Sequence, residues 1–196
     1  VNETCASGKG LKNKTVFLDR DGTIIVGVPY LSGLDQIKLN QNAAEGIRKF
    51  KEKGYLVIVI TNQSGVARGY FDEDRILEVN EEMKRILQLE GADIDDIYYC
   101  PHMPEELITD GVEPCGCRKP KPQMLLDAAK KYNIDLKQSL MVGDAPGDIL
   151  AGKNAGCKTA LIYKGEDYYD YKIDAETIKP DYVVNDLLEA AALLPV

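Results

Sequence analysis

Short apolar runs alternate with longer amphipathic stretches along the whole chain, and this alternation constrains the fold more than any other feature. We predict strands at residues 15–19, 55–60, 97–99, 140–142, 158–162 and 182–184. The stretches at 43–53, 73–90, 122–131, 149–155 and 187–194 have the apolar spacing of helices. Strands that alternate with helices form a parallel sheet covered on both faces. The sequence therefore predicts an α/β fold with a doubly wound parallel sheet.

The longest of these helices shows the pattern most clearly. Asp72 is placed to cap its start, because a short acidic side chain can accept the first free backbone N–H groups. The predicted buried stripe consists of Ile76, Val79, Met83, Ile86, Leu87 and Leu89.

The length and charge of the chain limit its organisation and its partners. A chain of 196 residues suits a single domain, so we expect one domain over residues 1–196 with a flexible leading segment at 1–13. The formal net charge of −8 disfavours nucleic acid and anionic membranes as partners. Neither a membrane-length apolar run nor a secretory leader is evident, so we expect a cytoplasmic protein and a monomer.

Two carboxylates leave the tip of the first predicted strand. Asp19 and Asp21 are two residues apart, and Gly22 permits a sharp turn after them. Ligands of a parallel α/β sheet sit beyond the carboxyl ends of its strands. One carboxylate could attack phosphorus while the other moves a proton, and both could attract a divalent cation. An acidic turn held by its own hydrogen bonds is the alternative.

Further polar groups stand at other positions along the same predicted edge. Residues 61–65 follow the second strand with hydroxyl and backbone N–H groups that can hold a phosphate. Arg118 and Lys119 bring positive charge to the start of a helix, where an anion is favoured. Asp144 follows the fourth strand and could complete a metal site, and Asp148 could support that site or cap the next helix. Each is a common loop feature alone, but together they meet the needs of phosphoryl transfer.

A second group of candidate ligands lies in the loop at 100–117. It consists of Cys100, His102, Cys115 and Cys117, and this histidine is the only one in the sequence. Two short pairs of this kind are typical of a closed structural zinc site. A disulfide is an alternative, although two of these cysteines are too close in sequence to bridge easily, and unrelated buried thiols are another. We expect Cys5 and Cys157 to stay unpaired, with Cys157 in the core.

From Phe17 to Asp148 the motifs resemble, in order, those of the haloacid dehalogenase superfamily of phosphatases. The resemblance implies a Rossmann-like sheet of that type, and the short segment before the second strand implies that a large cap domain is absent. It also implies roles for Asp19 as nucleophile, Asp21 as general acid and base, and Thr61 and Lys119 as groups that stabilise the phosphoryl group. Catalytic Mg²⁺ would be held by Asp19, the backbone carbonyl of Asp21, and Asp144.

Two branches of the superfamily resemble this chain in the cysteine loop and the Arg118-Lys119-Pro120 sequence that follows it. One branch removes the C7 phosphate of D-glycero-D-manno-heptose 1,7-bisphosphate, and the other hydrolyses histidinol phosphate. The stretch at 61–71 is more similar to the heptose branch. We therefore expect a small phosphorylated sugar as substrate and heptose 1-phosphate as product, for nucleotide-activated heptose and lipopolysaccharide biosynthesis. A non-catalytic sugar-phosphate-binding protein is a third alternative.

The resemblance and the local charge together predict the substrate contacts. These are Arg20, Gly27, Val28, Pro29, Tyr30, Thr61, Asn62, Gln63, Ser64, Arg68, Arg118, Lys119 and Ala145. We add Arg68 because of its charge, as a cation for a second phosphate, and an exposed loop residue is the alternative there. Ala145 departs from the heptose branch, which often has a lysine at this position.

Overall fold

The computed structural model describes residues 11–31, 33–108, 113–165 and 178–195. A six-stranded parallel sheet has the order β3-β2-β1-β4-β5-β6. Its strands are β1 (Thr15–Leu18), β2 (Leu56–Asn62), β3 (Asp96–Cys100), β4 (Leu140–Gly143), β5 (Lys158–Ile162) and β6 (Tyr182–Val184). Because β1 lies between β2 and β4, the strand order reverses there and opens a crevice at the carboxyl ends of these strands.

Helices cover both faces of the sheet. They are α1 (Ala43–Glu52), α2 (Glu73–Leu89), α3 (Gln123–Lys131), α4 (Pro146–Ala155) and α5 (Leu187–Ala192). One apolar cluster joins one face of the sheet to α1, α2 and α5, and a second cluster joins the other face to α3 and α4. The predicted doubly wound parallel sheet is therefore confirmed.

The central strand shows why the strands of this chain are continuous apolar runs. Val16 and Leu18 belong to the first cluster, whereas Phe17 between them belongs to the second. All three are fully buried, because successive side chains of a strand point to opposite faces and both faces are covered. This double burial fixes the strand in the middle of the molecule and places its carboxyl end in the crevice.

Most helix ends lie within two residues of their predicted positions, but α4 and α2 differ in other ways. α4 begins at Pro146 rather than at residue 149, because Asp148 accepts a hydrogen bond from the backbone N–H of Ala145 at 3.0 Å and caps the earlier start. In α2, Asp72 caps the helix as predicted, with Arg75 N–H as its donor. Leu89 was wrongly placed in the buried stripe of this helix, since it is 74% exposed.

Asn80 of α2 is the polar residue that the predicted stripe left out. It is 4% exposed and lies on the inner face of the helix, one turn beyond the buried Ile76. The apolar pattern of α2 is therefore interrupted at a buried position, and the partner of this side chain lies near the crevice.

The ends of the chain and the connection before β2 complete the fold. Asn13 was predicted within a flexible segment at 1–13, but its N–H donates to Asn133 O at 2.9 Å and its carbonyl accepts from Asp135 N–H at 2.8 Å. Residues 1–10, which include Cys5, lie outside the described residues.

Between β1 and β2 the described residues form a short 3₁₀ helix and α1, without a cap domain. None of the described helices combines the length and the apolar character needed to cross a bilayer.

Candidate active site

The turn after β1 places its two carboxylates beyond the carboxyl end of the sheet. Asp19 N–H donates to Val142 O at 2.9 Å, so the backbone stays in register with β4 up to this residue. Gly22 then reverses the chain with a φ of 89°, a conformation that favours glycine. The side-chain amide of Asn40 donates to the carbonyl of Gly22 at 2.9 Å and to two further carbonyls of the turn.

Two glycines, one in this turn and one at the end of β4, allow neighbouring carboxylates to approach the backbone closely. A Cβ atom at Gly22 would lie 2.0 Å from Asp144 Oδ2, and one at Gly143 would lie 2.3 Å from Asp148 Oδ2. Neither distance is compatible with a side chain. Absence of a side chain at these two positions is therefore a condition for the acids to gather.

Lys119 lies among these acids. Its Nζ is 2.5 Å from Asp19 Oδ1 and 2.6 Å from Asp148 Oδ1, and it donates to Ile60 O at 2.7 Å. Only 4% of the Lys119 side chain is exposed. The three partners use the three donors of the ammonium group, so the buried charge is fully compensated.

Asn62 fixes the backbone that carries Lys119. Its Nδ2 donates to Lys119 O at 3.1 Å, and its Oδ1 accepts from Lys119 N–H at 3.1 Å. The predicted substrate contact at Asn62 thus has a second role, since both polar atoms of its amide hold the basic loop to the end of β2.

Three buried carboxylates could hold a metal ion. Asp19, Asp144 and Asp148 each offer an oxygen, and these atoms lie within 4.8 Å of one another. Oxygen ligands of this kind suit a hard divalent cation. The predicted set had Asp21 in place of Asp148. The Asp148 carboxylate belongs to the cluster, whereas a contact through the Asp21 backbone carbonyl stays a prediction.

Burial dominates the electrostatics of these acids. It raises the pKa of Asp19 well above its usual value, and Asp148 and Asp144 add to this while Lys119 opposes it. It likewise raises the pKa of Asp144 to about 7, with Asp148 as the next cause. Burial alone would lower the pKa of Lys119, but the Asp148 and Asp19 carboxylates raise it above its ordinary range. A cation among the carboxylates would relieve their repulsion and favour their charged forms.

Asp21 faces a cavity of about 450 Å³ next to the acid cluster. The predicted substrate contacts Arg20, Val28, Pro29, Tyr30, Asn62, Gln63 and Ser64 also line this cavity. Asp21 is 28% exposed, so its carboxylate is accessible from the cavity while Asp19 lies deeper. Thr61 is buried behind the lining, and its hydroxyl accepts from Gln63 Nε2 at 2.8 Å.

Gly27, Arg68, Arg118 and Ala145 are predicted substrate contacts that do not line this cavity in the described structure. The Arg68 guanidinium lies 5.6 Å from the ring centre of Tyr30, which does line it. Arg118 donates from Nη1 to His102 O at 3.2 Å, so it is tied to the cysteine loop. Their contacts with substrate stay predictions.

The cysteine loop brings its four candidate ligands together. His102 Nδ1 is 3.5 Å from Cys100 Sγ and 3.3 Å from Cys117 Sγ, and Cys115 Sγ is 3.6 Å from Cys100 Sγ. The cysteines are free thiols, so the disulfide alternative is wrong for this loop. All four ligand atoms lie within 4.8 Å of one another, which suits one tetrahedral metal ion. Cys157 is also free and is buried in the core, as predicted.

Sequence reasoning missed three residues that shape the site. Asn40 holds the turn after β1, Lys164 donates from Nζ to Gly22 O in the same turn, and Asn80 accepts from Arg20. A polar residue within the apolar stripe of α2 was a usable signal for Asn80. The other two lie in loops, and their sequence context gave no comparable signal.

Comparison with known proteins shows the family to which this chain belongs. The family model for HAD-like hydrolases, where HAD stands for haloacid dehalogenase, matches residues 116–190. A D-glycero-beta-D-manno-heptose-1,7-bisphosphate 7-phosphatase of Pasteurella multocida is 46% identical over 151 residues, which cover 77% of this chain and 82% of that protein. The chain belongs to the haloacid dehalogenase superfamily. The resemblance noted from its motifs is thereby confirmed.

Two further proteins are similar to this chain, one in sequence and one in structure. A D-glycero-alpha-D-manno-heptose-1,7-bisphosphate 7-phosphatase of Photorhabdus laumondii is 40% identical over 153 residues, 78% of this chain and 84% of that protein. The structure of D,D-heptose 1,7-bisphosphate phosphatase from B. bronchiseptica, complexed with magnesium and phosphate, has a TM-score of 0.75 and 30% identity. The superposition covers 92% of this chain and 97% of the B. bronchiseptica chain.

The close approach at Gly22 leads to a test with a matched control. Gly22→Ala and Gly54→Ala both place a side chain at positive φ, which should cost about 1–2 kcal/mol in each case. Because only the first also collides with Asp144, we expect its phosphatase activity to fall about 100-fold more than that of Gly54→Ala. Denaturant unfolding and phosphate release measure the two effects. Equal activity losses would contradict the proposed role of the close approach.

Proposed function

We propose that the protein is a phosphatase that removes the C7 phosphate of D-glycero-D-manno-heptose 1,7-bisphosphate and yields heptose 1-phosphate. The observation that carries this proposal is the meeting of Asp19, Lys119 and Asp144 beside a cavity that Asp21 lines. Relatives at 40–46% identity are named as phosphatases of this sugar bisphosphate. The histidinol phosphate alternative is not favoured, and the intact acids argue against a non-catalytic binding protein.

The proposed reaction has two steps that use the two acids of the β1 turn. An oxygen of Asp19 attacks phosphorus and forms an aspartyl-phosphate, while Asp21 gives a proton to the departing sugar oxygen. Asp21 then takes a proton from water, and the water oxygen attacks phosphorus to release phosphate and regenerate Asp19. Lys119, held beside Asp19, offsets negative charge on the phosphoryl group in both steps.

The buried carboxylates fit a catalytic Mg²⁺, which we assign to Asp19, Asp144 and the backbone of Asp21, with Asp148 nearby. When bound, the ion neutralises charge on the phosphate and on the acids around it. Asp148 pairs with Lys119 and so fixes the ammonium group beside Asp19. We also propose that the chain acts as a single domain and a monomer in the cytoplasm.

A substrate comparison tests the proposed function. We expect the alpha and beta anomers of heptose bisphosphate to be hydrolysed with a higher kcat/KM than histidinol phosphate. Asp19→Asn should abolish phosphate release from all three, because the amide is a poor nucleophile, while its unfolding curve stays close to that of the natural chain. A higher kcat/KM for histidinol phosphate would contradict the substrate assignment, and turnover by Asp19→Asn would contradict the nucleophile.

The cysteine loop fits a structural zinc ion, and the chemistry of the ligands supports this proposal. Burial raises the pKa of the Cys100 thiol and of the Cys117 thiol, so protons must be displaced when a cation binds. Four soft or borderline ligands leave no open coordination position for chemistry. Cys117 stands two residues before Lys119, so the ion would stabilise the loop that carries this lysine.

The zinc content of two cysteine variants tests whether the cysteine loop is the zinc site. Cys117→Ser should lower the bound zinc well below about one ion per chain and reduce the melting temperature, because a ligand is lost. Cys157→Ser, at a buried cysteine outside the cluster, should keep its zinc. Elemental analysis by mass spectrometry measures both variants. Equal zinc in Cys117→Ser and the natural chain would show that the loop is not the site.

Arg68 is our proposed contact for the second phosphate of the bisphosphate. Its Nε is buried and has no hydrogen-bond partner within the described part of the chain, although the guanidinium stacks near Tyr30 at the cavity. A buried donor without a partner is costly, and an anionic ligand would satisfy it. Ala145 carries no charge, which leaves this role to other cations.

Removing the charge at Arg68 should lower kcat/KM only for substrates with two phosphates. We expect Arg68→Gln to lower kcat/KM for heptose bisphosphate about 10–100-fold, which corresponds to a lost hydrogen bond to a charged group. For heptose 7-phosphate the change should stay below about 3-fold, because the contact is absent. Arg85→Gln removes an exposed charge on α2 and is the control. Equal losses for both substrates would refute the assignment.

A further inference from the structure

Arg20 is an unusual side chain for the interior of this fold. It is 1% exposed and is the largest of the fully buried side chains. A buried guanidinium is tolerated only when its donors are paired, since removing the charge from water is costly. Its Nη1 donates to Asn80 Oδ1 at 2.9 Å, and its Nε and Nη2 donate to Asp21.

The contacts at Asp21 are concentrated on one of its two oxygens. Arg20 Nε and Nη2 approach Oδ2 at 3.1 Å and 3.0 Å, and Gln63 Nε2 donates to the same oxygen at 2.7 Å. Oδ1 has a longer contact of 3.3 Å with Arg20 Nη2. Two hydrogen bonds and the shorter ion-pair contact therefore anchor Oδ2. Oδ1 accepts the longer bond from Arg20 Nη2 and is the oxygen with more capacity to exchange a proton with the substrate.

Asn80 provides the support behind this arrangement. It comes from the middle of α2, at an inward position where the rest of the stripe is apolar. A polar residue there carries a cost unless it is hydrogen-bonded, and Arg20 Nη1 supplies that bond. The contact joins a helix on one face of the sheet to the turn after β1, across 60 residues of sequence.

We propose that Asn80 and Arg20 are positioning residues for proton transfer by Asp21. Asn80 fixes the direction of the Arg20 guanidinium, and the planar fork of Arg20 fixes the Asp21 carboxylate so that Oδ1 meets the leaving oxygen. This inference rests on the proposed function of Asp21 as general acid. Through Asn80, the site includes α2, a helix that supplies a positioning side chain and no reacting group.

The dependence of rate on the leaving group distinguishes positioning from simple structural support. The substrates are substituted phenyl phosphates, from dinitrophenyl phosphate, whose leaving group needs no proton, to phenyl phosphate, whose leaving group does. The measured quantity is kcat/KM, which reports steps up to departure of the phenol. For Asn80→Leu we expect a fall of about 10–100-fold with phenyl phosphate and less than about 3-fold with dinitrophenyl phosphate.

Two further variants keep the test independent of folding. Asn80→Asp retains the acceptor oxygen in the same shape and should keep the natural dependence on the leaving group. Arg20→Lys retains the charge but loses the planar fork, and should show the same steeper dependence as Asn80→Leu. Equal losses across the whole series, or an unchanged dependence in both Asn80→Leu and Arg20→Lys, would overturn the proposal.

The phenyl phosphate series also separates this inference from the choice of sugar substrate. Should the natural chain hydrolyse the phenyl phosphates and not heptose bisphosphate, the substrate assignment alone fails. A steeper dependence in Asn80→Leu would then still support the positioning role.

Discussion

A single buried ammonium group organises the catalytic end of this molecule. Lys119 lies between Asp19 from the β1 turn and Asp148 from the first turn of α4, and it also binds the last part of β2 through Ile60. Three segments that are distant in sequence therefore converge on one cation. Desolvation of the carboxylates would otherwise disfavour their charged forms, so the acid cluster depends on this contact until a metal ion adds further positive charge.

Further residues support the acids and the backbone around Lys119. Glycines at positions 22 and 143 give the acids the space to approach, and Asn62 holds the backbone of Lys119 from the side of β2. Amide side chains thus perform much of the support, because each offers a donor and an acceptor at a fixed separation. Asn40 donates to a carbonyl of the β1 turn, and Asn80 of α2 accepts from Arg20, so both give similar support.

The sequence predicted the sheet well because burial on both faces leaves an unambiguous pattern. Val57 to Ile60 in β2 form a continuous apolar run, and each of them is fully buried. The acids and the lysine were predictable for a related reason, since polar residues directly after such runs have few positions to occupy except the crevice. The cysteine loop was recognisable from its ligand spacing alone.

Other features depend on side-chain directions that a pattern of residue types does not encode. Arg20 and Asp21 are neighbours in sequence and both border the cavity, yet the first is buried and bonded to Asn80 of α2, whereas the second is partly exposed. Asp148 was expected to support or cap, and it does both while also joining the acid cluster. Leu89 satisfied an apolar pattern, but it lies about 200° around the helix from the buried Leu87 and therefore on the exposed face of α2.

The cysteine loop and Lys119 share one short piece of backbone. Cys117 stands two residues before Lys119, and Arg118 between them is bonded back to His102 of the loop. Fixing the loop in one conformation therefore also fixes the backbone of Lys119. The cysteine loop thereby helps to hold the buried cation from outside the acid cluster.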